Sequence, residues 1–378
     1  MRNLNPDLIC LSHLRWGFVY QRPQHLLSRF AKRQRVFFFE EPVLSGGQTR
    51  LDMRVDDASN VMVAIPHLPD GLDDLEAEQT LAKLLDQMIR DHQIERHLLW
   101  YYTPMALGFS EHLSPSLVIY DCMDELSAFQ GASPLLRARE AQLFRKAHLV
   151  FTGGRTLYEA KRSQHPDVHA FPSSVDVKHF AQARTAQPDP ADQAKIPHPR
   201  IGYCGVIDER MDIELLGRAA ALRPDWHFIM IGPVAKIDAE TLPQRSNIHY
   251  LGPKSYAELP KYMAGWDAAM LPFARNESTK FISPTKTPEY LAAGLPSVST
   301  SIRDVVHPYR DLNLVEIADT PEDFVSALDR AMSGDRSDWL SRASQFLSTN
   351  SWDSTWAAMC DLIAAKMDTN VRNEVAYV

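Results

Sequence analysis

Short apolar runs and helical patterns alternate along nearly the whole chain. Runs rich in β-branched and aromatic residues predict buried strands, and apolar residues spaced three and four apart predict helices between them. This alternation is typical of parallel sheets covered by helices. The strands predicted in the first half are Asp7–His13, Arg35–Glu41, Val61–Ile65, His97–Tyr102, Leu117–Asp121, Leu149–Thr152 and Val168–Pro172. The helices predicted there are Arg22–Arg33, Leu75–His92, Pro134–Ala147 and Arg155–Gln164.

The pattern stops once and then restarts. Residues 183–199 hold four prolines and little periodic apolar pattern, so we interpret them as a linker. The later predicted strands are Arg200–Val206, His227–Ile231, Ile248–Leu251, Ala268–Pro272, Ser297–Ser301 and Leu314–Ile317. The later predicted helices are Asp212–Arg223, Tyr256–Gly265, Pro284–Ala293, Pro321–Met332 and Asp338–Leu347.

Two βα halves around one linker predict an α/β chain of two doubly wound, Rossmann-like domains that face a cleft. We place the first domain at residues 1–182 and the second at 200–350. Residues 351–378 form a last predicted helix, whose apolar residues recur at spacings of three and four. This stripe indicates packing back on the first domain, with ordinary core packing or a dimer contact as alternatives. Its members are Trp352, Trp356, Met359, Ile363 and Met367.

Composition excludes several classes of protein. The 378 residues carry a net charge of −8, which argues against nucleic acid as the main partner. No apolar run approaches the roughly 18 residues of a membrane span, and the first residues lack the apolar core of a signal peptide. The four cysteines lie far apart without metal-ligand spacing, as expected of reduced thiols. We therefore expect a cytoplasmic protein.

The segment 283–296, SPTKTPEYLAAGLP, carries the clearest candidate chemistry. It places Lys286 and Glu289 at a predicted helix start, and Gly294 ends that helix. Unpaired N–H groups and the helix dipole favour an anion there, and a lysine strengthens such a site for a diphosphate. Glu289 is spaced to accept hydrogen bonds from hydroxyls, although acids in a first turn are favourable without any ligand. Phosphate and hydroxyl recognition together indicate a nucleotide sugar.

The second half resembles the nucleotide-binding domain of GT-B glycosyltransferases, particularly the large retaining group called GT4. The resemblance rests on a strand that ends in glycine, on an aspartate that opens a strand ending in proline, and on a spaced glutamate, glycine and proline. It spans roughly Phe171–Val298, with a weaker similarity in the first half. The matching segments are Asn247–Gly252, Glu258-Leu259, Ala264–Pro272, Glu289-x4-Gly294-x-Pro296 and Ser174–Phe180.

Two departures from the family pattern affect the donor side. The family's glutamate eight residues before Glu289 is Phe281 here, which removes a group often assigned to the donor sugar. The family's arginine and lysine after the first strand of this domain are also displaced, and Arg210 is the only nearby cation. We predict that Arg210 stands in for the missing lysine.

The resemblance implies roles for residues on both sides of the cleft. Asp121 or Asp124 would stabilise positive charge at the anomeric carbon or hold an acceptor hydroxyl, with helix capping as the alternative. An Asp-x-x-Asp metal site is disfavoured, so neither a metal nor a cofactor is expected. The predicted catalytic residues are Asp121, Asp124 and His13. The predicted donor-binding residues are Gly205, Arg210, Gly252, Lys254, Ser283, Lys286, Thr287 and Glu289. The predicted acceptor-side residues are Arg15, Trp16 and Arg22, with core packing of Trp16 as the alternative.

These expectations describe a glycosyltransferase that moves a sugar, most simply from a UDP-sugar, to a hydroxyl of a growing glycan or lipid-linked acceptor. The basic and apolar faces of Arg22–Arg33 suggest contact with the inner face of a membrane, although a solvated basic face on a core-packed helix is the alternative. Two other functions remain open. One is a nucleotide-sugar 2-epimerase, and the other is a non-catalytic sugar-binding protein.

Overall fold

The computed structural model describes residues 5–44 and 46–376. The first four residues of predicted segment 1–182 and the last two of segment 351–378 lie outside it. The strands are β1 Asp7–Leu11, β2 Val36–Phe39, β3 Val43–Leu44, β4 Arg50–Val55, β5 Met62–Leu68, β6 His97–Tyr101, β7 Leu117–Cys122, β8 Leu149–Thr152, β9 Val168–Ala170, β10 Arg200–Cys204, β11 His227–Ile231, β12 Ile248–Gly252, β13 Ala268–Leu271, β14 Ser297–Ser299 and β15 Glu316–Ile317.

The helices are α1 Arg22–Phe30, α2 Asp74–Asp91, α3 Leu107–Ser110, α4 Leu136–Lys146, α5 Arg155–Lys161, α6 Val177–Phe180, α7 Ile213–Leu222, α8 Leu259–Met263, α9 Lys286–Ala293, α10 Arg303–Val305, α11 Pro321–Ser333, α12 Ser337–Leu347 and α13 Trp352–Ala376. Short 3-10 turns at Leu126–Ala128 and Tyr256–Glu258 lie in two of the loops that follow strands. Within the described residues, no helix is both long and apolar enough to cross a bilayer.

The strands form two separate sheets, as the alternating pattern predicts. The first, which we call the first sheet, has the order β3-β5-β2-β1-β6-β7-β8-β9 with β4 antiparallel to β5. The second sheet has the order β12-β11-β10-β13-β14-β15, and its pairs are parallel. Apolar clusters line both faces of each sheet. In each sheet the order reverses beside the first strand, and such switch points create crevices at the carboxyl ends of parallel strands.

The sequence pattern missed the edge of the first sheet. Strand β4 exposes nearly every side chain, so it lacks the buried face that produces alternation. Strand β3 is only two residues long.

The chain enters the second core earlier than the predicted linker. Val175 and Phe180 are fully buried in the apolar cluster of the second sheet. The linker itself is packed there as well, because Gln193 accepts a hydrogen bond from Trp266 Nε1 at 2.9 Å. The chain returns beside the same point, where Ser174 and Thr355 hydroxyls lie 2.7 Å apart. Two adjacent crossings therefore join the sheets.

Helix α13 packs on the first sheet. Trp352, Met359 and Ile363 are buried in the same cluster as Leu26 and Phe30 of α1. The Trp352 ring stacks on His25 at a centroid distance of 4.7 Å and an interplanar angle of 12°.

The two arginines of α1 contact protein, which argues against the membrane-surface prediction for Arg22–Arg33. Arg22 is only 4% exposed. Arg33, beyond the end of α1, is exposed, and its guanidinium lies 4.4 Å over the ring of Trp356. Arg29 pairs with Asp353 at 2.7 Å.

A carboxylate of the second sheet caps a helix of the first. Asp304 accepts the N–H groups of Arg155 at 2.8 Å and Thr156 at 3.0 Å, at the start of α5. These are two of the N–H groups that a helix start leaves unpaired. The cap fixes the second sheet against the first.

We expect Trp352→Ala to lower the free energy of unfolding by about 3–5 kcal/mol, because it removes a fully buried ring between α1 and α13. Urea unfolding followed by circular dichroism measures the change. The control is Asp353→Ala, whose carboxylate is 82% exposed and should cost less than about 1 kcal/mol. Equal effects of the two substitutions would contradict this packing.

Candidate functional site

A cavity of about 610 Å³ lies between the two sheets at the carboxyl ends of their strands. The first sheet contributes the segments that follow β1, β2, β6 and β7, together with parts of α2 and α4. The second sheet contributes the loops after β10 and β11. The polar residues that face the cavity near this junction are His13, Asp124, Asp208, Arg210 and Lys236.

His13 brings a neutral imidazole to the cavity. Its Nδ1 atom is buried without a hydrogen-bond partner. Burial, together with the positive charge of Lys236, lowers the pKa of His13 to about 4. The ring is therefore uncharged at neutral pH.

Asp124 faces the second sheet across the cavity. Burial raises the pKa of its carboxyl to about 6, although the charges of Arg210 and Arg22 oppose the rise. Asp208 binds Arg210 through two hydrogen bonds of 2.9 and 2.6 Å. The cation predicted to meet a diphosphate is thus neutralised by the protein while no ligand is bound.

Phe129 and Lys236 are site residues that sequence reasoning missed, as is Asp208. The Phe129 ring lies between two cations, 5.7 Å from the Arg210 guanidinium and 5.5 Å from the Lys236 ammonium. The only sequence signal was that Asp208 and Lys236 each follow a strand of the second sheet.

The pair Lys286 and Glu289 lies at the start of α9, and neither residue lines the cavity. Helix α9 begins at Lys286, which places the lysine in the first turn as expected. The Lys286 ammonium donates to Glu289, and their side chains are 14% and 3% exposed. Burial alone would lower the pKa of Lys286, but Glu289 raises it above its ordinary value. Burial raises the pKa of Glu289.

Other predicted donor residues surround this pair. Thr287 Oγ1 is buried without a partner, and Ser283 O accepts from the Ser173 hydroxyl. Gly252 has φ +69°, a conformation that favours glycine in the loop before the Tyr256–Glu258 turn. Gly232 lies so close to Gly205 that a Cβ on Gly232 would overlap the Gly205 carbonyl oxygen. The loops after β10 and β11 therefore approach each other closely.

Lys254 needs correction as a donor-binding residue. Its ammonium pairs with Asp192 of the linker at 2.7 Å and lies 5.3 Å over the Tyr262 ring. Since Asp192 belongs to the linker, the pair directs the ammonium away from the cavity, which Lys254 does not line.

Asp121 and Arg22 also need correction, because they form a buried ion pair in place of a cleft surface. Asp121 is fully buried and accepts from Arg22 at 2.8 and 2.9 Å. Arg22 also donates to the Phe171 carbonyl at 2.8 Å. The pair ties α1 to the end of β7, and neither side chain lines the cavity.

Trp16 and Arg15 turn away from the cavity. The Trp16 ring is 7% exposed and packs edge-on against Phe38 at 5.0 Å, so the core-packing alternative is correct. Arg15 donates to the Pro42 carbonyl at 3.2 Å. His13, Leu14 and Phe18 of the same loop line the cavity, whereas Arg15 and Trp16 do not.

A buried ionic network supports the loop that carries Asp124 and Phe129. Lys161 is 6% exposed and pairs with Glu125 at 2.6 Å and Glu140 at 2.7 Å. Tyr120 donates to the same Glu140 at 2.8 Å. The network ties Glu125, which adjoins Asp124, to α4 and α5.

We expect Lys161→Met to lower the free energy of unfolding by about 3–5 kcal/mol, because it leaves two carboxylates buried without a cation. Chemical unfolding measures the loss. Lys146→Met is the matched control on α4, since its pair with Glu111 is exposed at 44% and 59% and should contribute at most about 1 kcal/mol. A loss no larger than that of the control would show that the network is not needed.

Comparisons with known proteins agree with this geometry. Residues 198–334 match the family described as "Glycosyl transferases group 1". The putative teichuronic acid biosynthesis glycosyltransferase TuaH of Bacillus subtilis is 28% identical over 272 residues, which cover 67% of this chain and 68% of that protein.

Solved structures share the fold at low sequence identity. Sucrose-phosphate synthase from Thermosynechococcus elongatus has a TM-score of 0.71 at 13% identity, covering 97% of this chain and 100% of that one. An E. coli trehalose-6-phosphate structure bound with UDP-2-fluoro glucose has a TM-score of 0.70 at 14% identity, covering 96% and 99%. Three findings agree. Two βα sheets face a cleft, the residues of the second sheet match the group 1 family, and a putative glycosyltransferase is related to the chain. This chain is a glycosyltransferase of the GT-B fold.

Proposed function

We propose that the chain moves a sugar from a nucleotide-diphosphate sugar, most simply a UDP-sugar, to a hydroxyl of a growing cell-surface glycan, with retention of anomeric configuration. The observation that carries the proposal is the cavity between the sheets, where Arg210 of the second sheet faces Asp124 and His13 of the first. Lys286 adds a second paired cation at the start of α9. The structure bound with UDP-2-fluoro glucose supports a UDP donor, and the teichuronic acid relative supports a polysaccharide product.

On the donor side, Lys286 and Arg210 balance the charge that develops on the leaving diphosphate. Arg210 turns from Asp208 toward the phosphate, or shares its five N–H donors between them. Glu289 accepts hydroxyls of the ribose. Neither a metal nor a cofactor is required in this proposal, because cations and the start of α9 supply the positive charge.

In the reaction, the bond between the anomeric carbon and the diphosphate oxygen breaks, and its electron pair leaves with the diphosphate. The acceptor oxygen bonds to the anomeric carbon on the same face, and its proton passes to the departing diphosphate oxygen. Asp124 stabilises the positive charge on the sugar ring, and His13 holds a sugar hydroxyl through Nδ1. Closure of the cavity excludes water, since hydrolysis is the competing reaction.

The acceptor binds against the first sheet. We propose that the acceptor is a glycan, free or lipid-linked, and that the enzyme is cytoplasmic. If the acceptor is lipid-linked, the enzyme contacts the membrane through this acceptor and not through α1. The large volume of the cavity favours transfer over 2-epimerisation, which needs no room for a second sugar. Product analysis separates the two, because an epimerase releases free sugar-nucleotide isomers without consuming acceptor.

Donor binding is tested with a double substitution that removes both charges of the buried pair, Lys286→Met with Glu289→Gln. We expect UDP, compared with GDP, dTDP and CMP, to raise the Tm of the wild type. The double variant should bind UDP at least tenfold more weakly than the wild type does, a loss of about 1.4 kcal/mol of binding free energy. Lys254→Met, whose ammonium faces the linker, should keep the wild-type shift. An unchanged shift in the double variant would remove Lys286 from the donor site.

The role of Asp124 predicts a pH dependence. Since the pKa of its carboxyl is about 6, kcat/KM should rise with pH through about 6. The inflection should disappear in Asp124→Asn, whose residual activity should be lower by about 100-fold or more. His13, with a pKa near 4, should not titrate in this range.

The raised pKa of Asp124 also determines how its carboxyl changes the free energy of unfolding with pH. The folded-state pKa of Asp124 lies above the ordinary value of 3.8, so its contribution to stability is lost as pH rises from about 4 to 6. Asp124→Asn should therefore not destabilise the protein at pH 8, whereas Asp121→Asn should, because it leaves Arg22 buried without its carboxylate. A large stability loss in Asp124→Asn would indicate a structural role.

A further inference from the structure

The part of the cavity that belongs to the first sheet is acidic. Among the described residues that line it, the first sheet and its helices contribute no lysine or arginine. They contribute five carboxylates, from Glu40, Glu41, Asp74, Glu78 and Asp124. The two lining cations, Arg210 and Lys236, come from the second sheet, which serves the donor.

Part of the negative charge on this wall is balanced. Arg139 pairs with Glu78 at 2.7 Å, and the charges of Arg54 and Arg15 act on Glu40. Within the described residues, Glu41 and Asp74 make no ion pair, and both side chains are exposed. A phosphate or carboxylate on an acceptor would therefore meet the unpaired charges of Glu41 and Asp74 at this wall.

The remaining wall is apolar. Leu81, Met105 and Phe109 line its inner part. At the rim, Phe18 is 54% exposed and Leu135 is 41% exposed, and both border the cavity. Large apolar side chains left open beside a cavity mark a surface that an apolar ligand group can cover.

Building on the proposed function, we propose that the acceptor sugar seated in this cavity is uncharged and carries an apolar substituent, such as an acyl, deoxy or alkyl group. Sugar phosphates and uronates are disfavoured by the unpaired carboxylates of Glu41 and Asp74. Hydroxyl groups of the acceptor donate to those same carboxylates, which accept but cannot donate when ionised. The wall thus selects among acceptors by charge and by apolar contact.

The selection by charge is tested by transfer assays with three acceptors that carry the same alkyl group: an alkyl glucoside, its 6-phosphate and the corresponding alkyl glucuronide. The wild type should use the alkyl glucoside with a kcat/KM at least tenfold higher than either anion. Glu41→Lys should reduce that preference severalfold. Asp91→Lys, on the same helix as Asp74 but outside the cavity, should leave it unchanged. Preference for an anionic acceptor in the wild type, or equal effects of both substitutions, would overturn the rule.

The apolar contact is tested separately with Leu135→Ser. Because Leu135 is partly exposed, the protein should fold normally, and KM for the alkyl glucoside should rise several-fold while KM for the donor stays constant. The matched control is Leu222→Ser, an equally exposed leucine on α7, which should change neither KM. No rise in acceptor KM for Leu135→Ser would overturn the apolar assignment.

Failure of this inference is distinct from failure of the proposed function. If no acceptor of any charge increases release of nucleoside diphosphate from any donor, glycosyl transfer itself is wrong, and the acceptor rule falls with it. If nucleoside diphosphate is released with the anionic acceptors at the same or a higher rate, transfer stands and only the acceptor rule is wrong.

Discussion

A cation that waits in a buried site for an anionic substrate must be neutralised by the protein while the substrate is absent, because an unpaired buried charge is costly. Both cations of the proposed donor site satisfy this condition. Arg210 is held by Asp208, and Lys286 by Glu289. Each carboxylate lies within three residues of its cation, so local chain geometry forms the pair before any ligand arrives. Donor binding then gives each cation a second anionic partner, and neither cation is ever buried without one.

The two sides of the cleft differ in charge and polarity. The second sheet supplies the cations and their carboxylates, and the first supplies neutral His13, the carboxyl of Asp124 and an acidic, apolar wall. The cap of Asp304 on α5 fixes the spacing of these halves near the crossings of the chain. A substrate that bridges them has its anionic end on one sheet and its uncharged end on the other.

Sequence reasoning recovered the parts of this arrangement that are local in the chain. The alternating pattern gave the strand His227–Ile231 with the bounds that the structure shows, and the helix start at Lys286 within two residues. It failed where a partner lies far away in the chain. Asp121 looked like a cleft residue because nothing local reveals Arg22, 99 positions away. Lys254 and Asp192 are similarly separated.

The direction in which a loop side chain points could not be predicted either. Trp16 and His13 share one loop, and composition cannot tell which of them faces the core. Phe129 is recognised as a site residue only because two cations of the second sheet lie over its ring.

Helix α13 makes the first sheet depend on a segment that is synthesised after the strands of the second sheet. Its residues Trp352, Met359 and Ile363 close the apolar face that α1 begins. During translation, the second sheet can therefore assemble while the first still exposes that face to the ribosome surface and to chaperones. Domains usually complete folding in order from the N-terminus. Here the first sheet is completed only after residue 363 has left the exit tunnel.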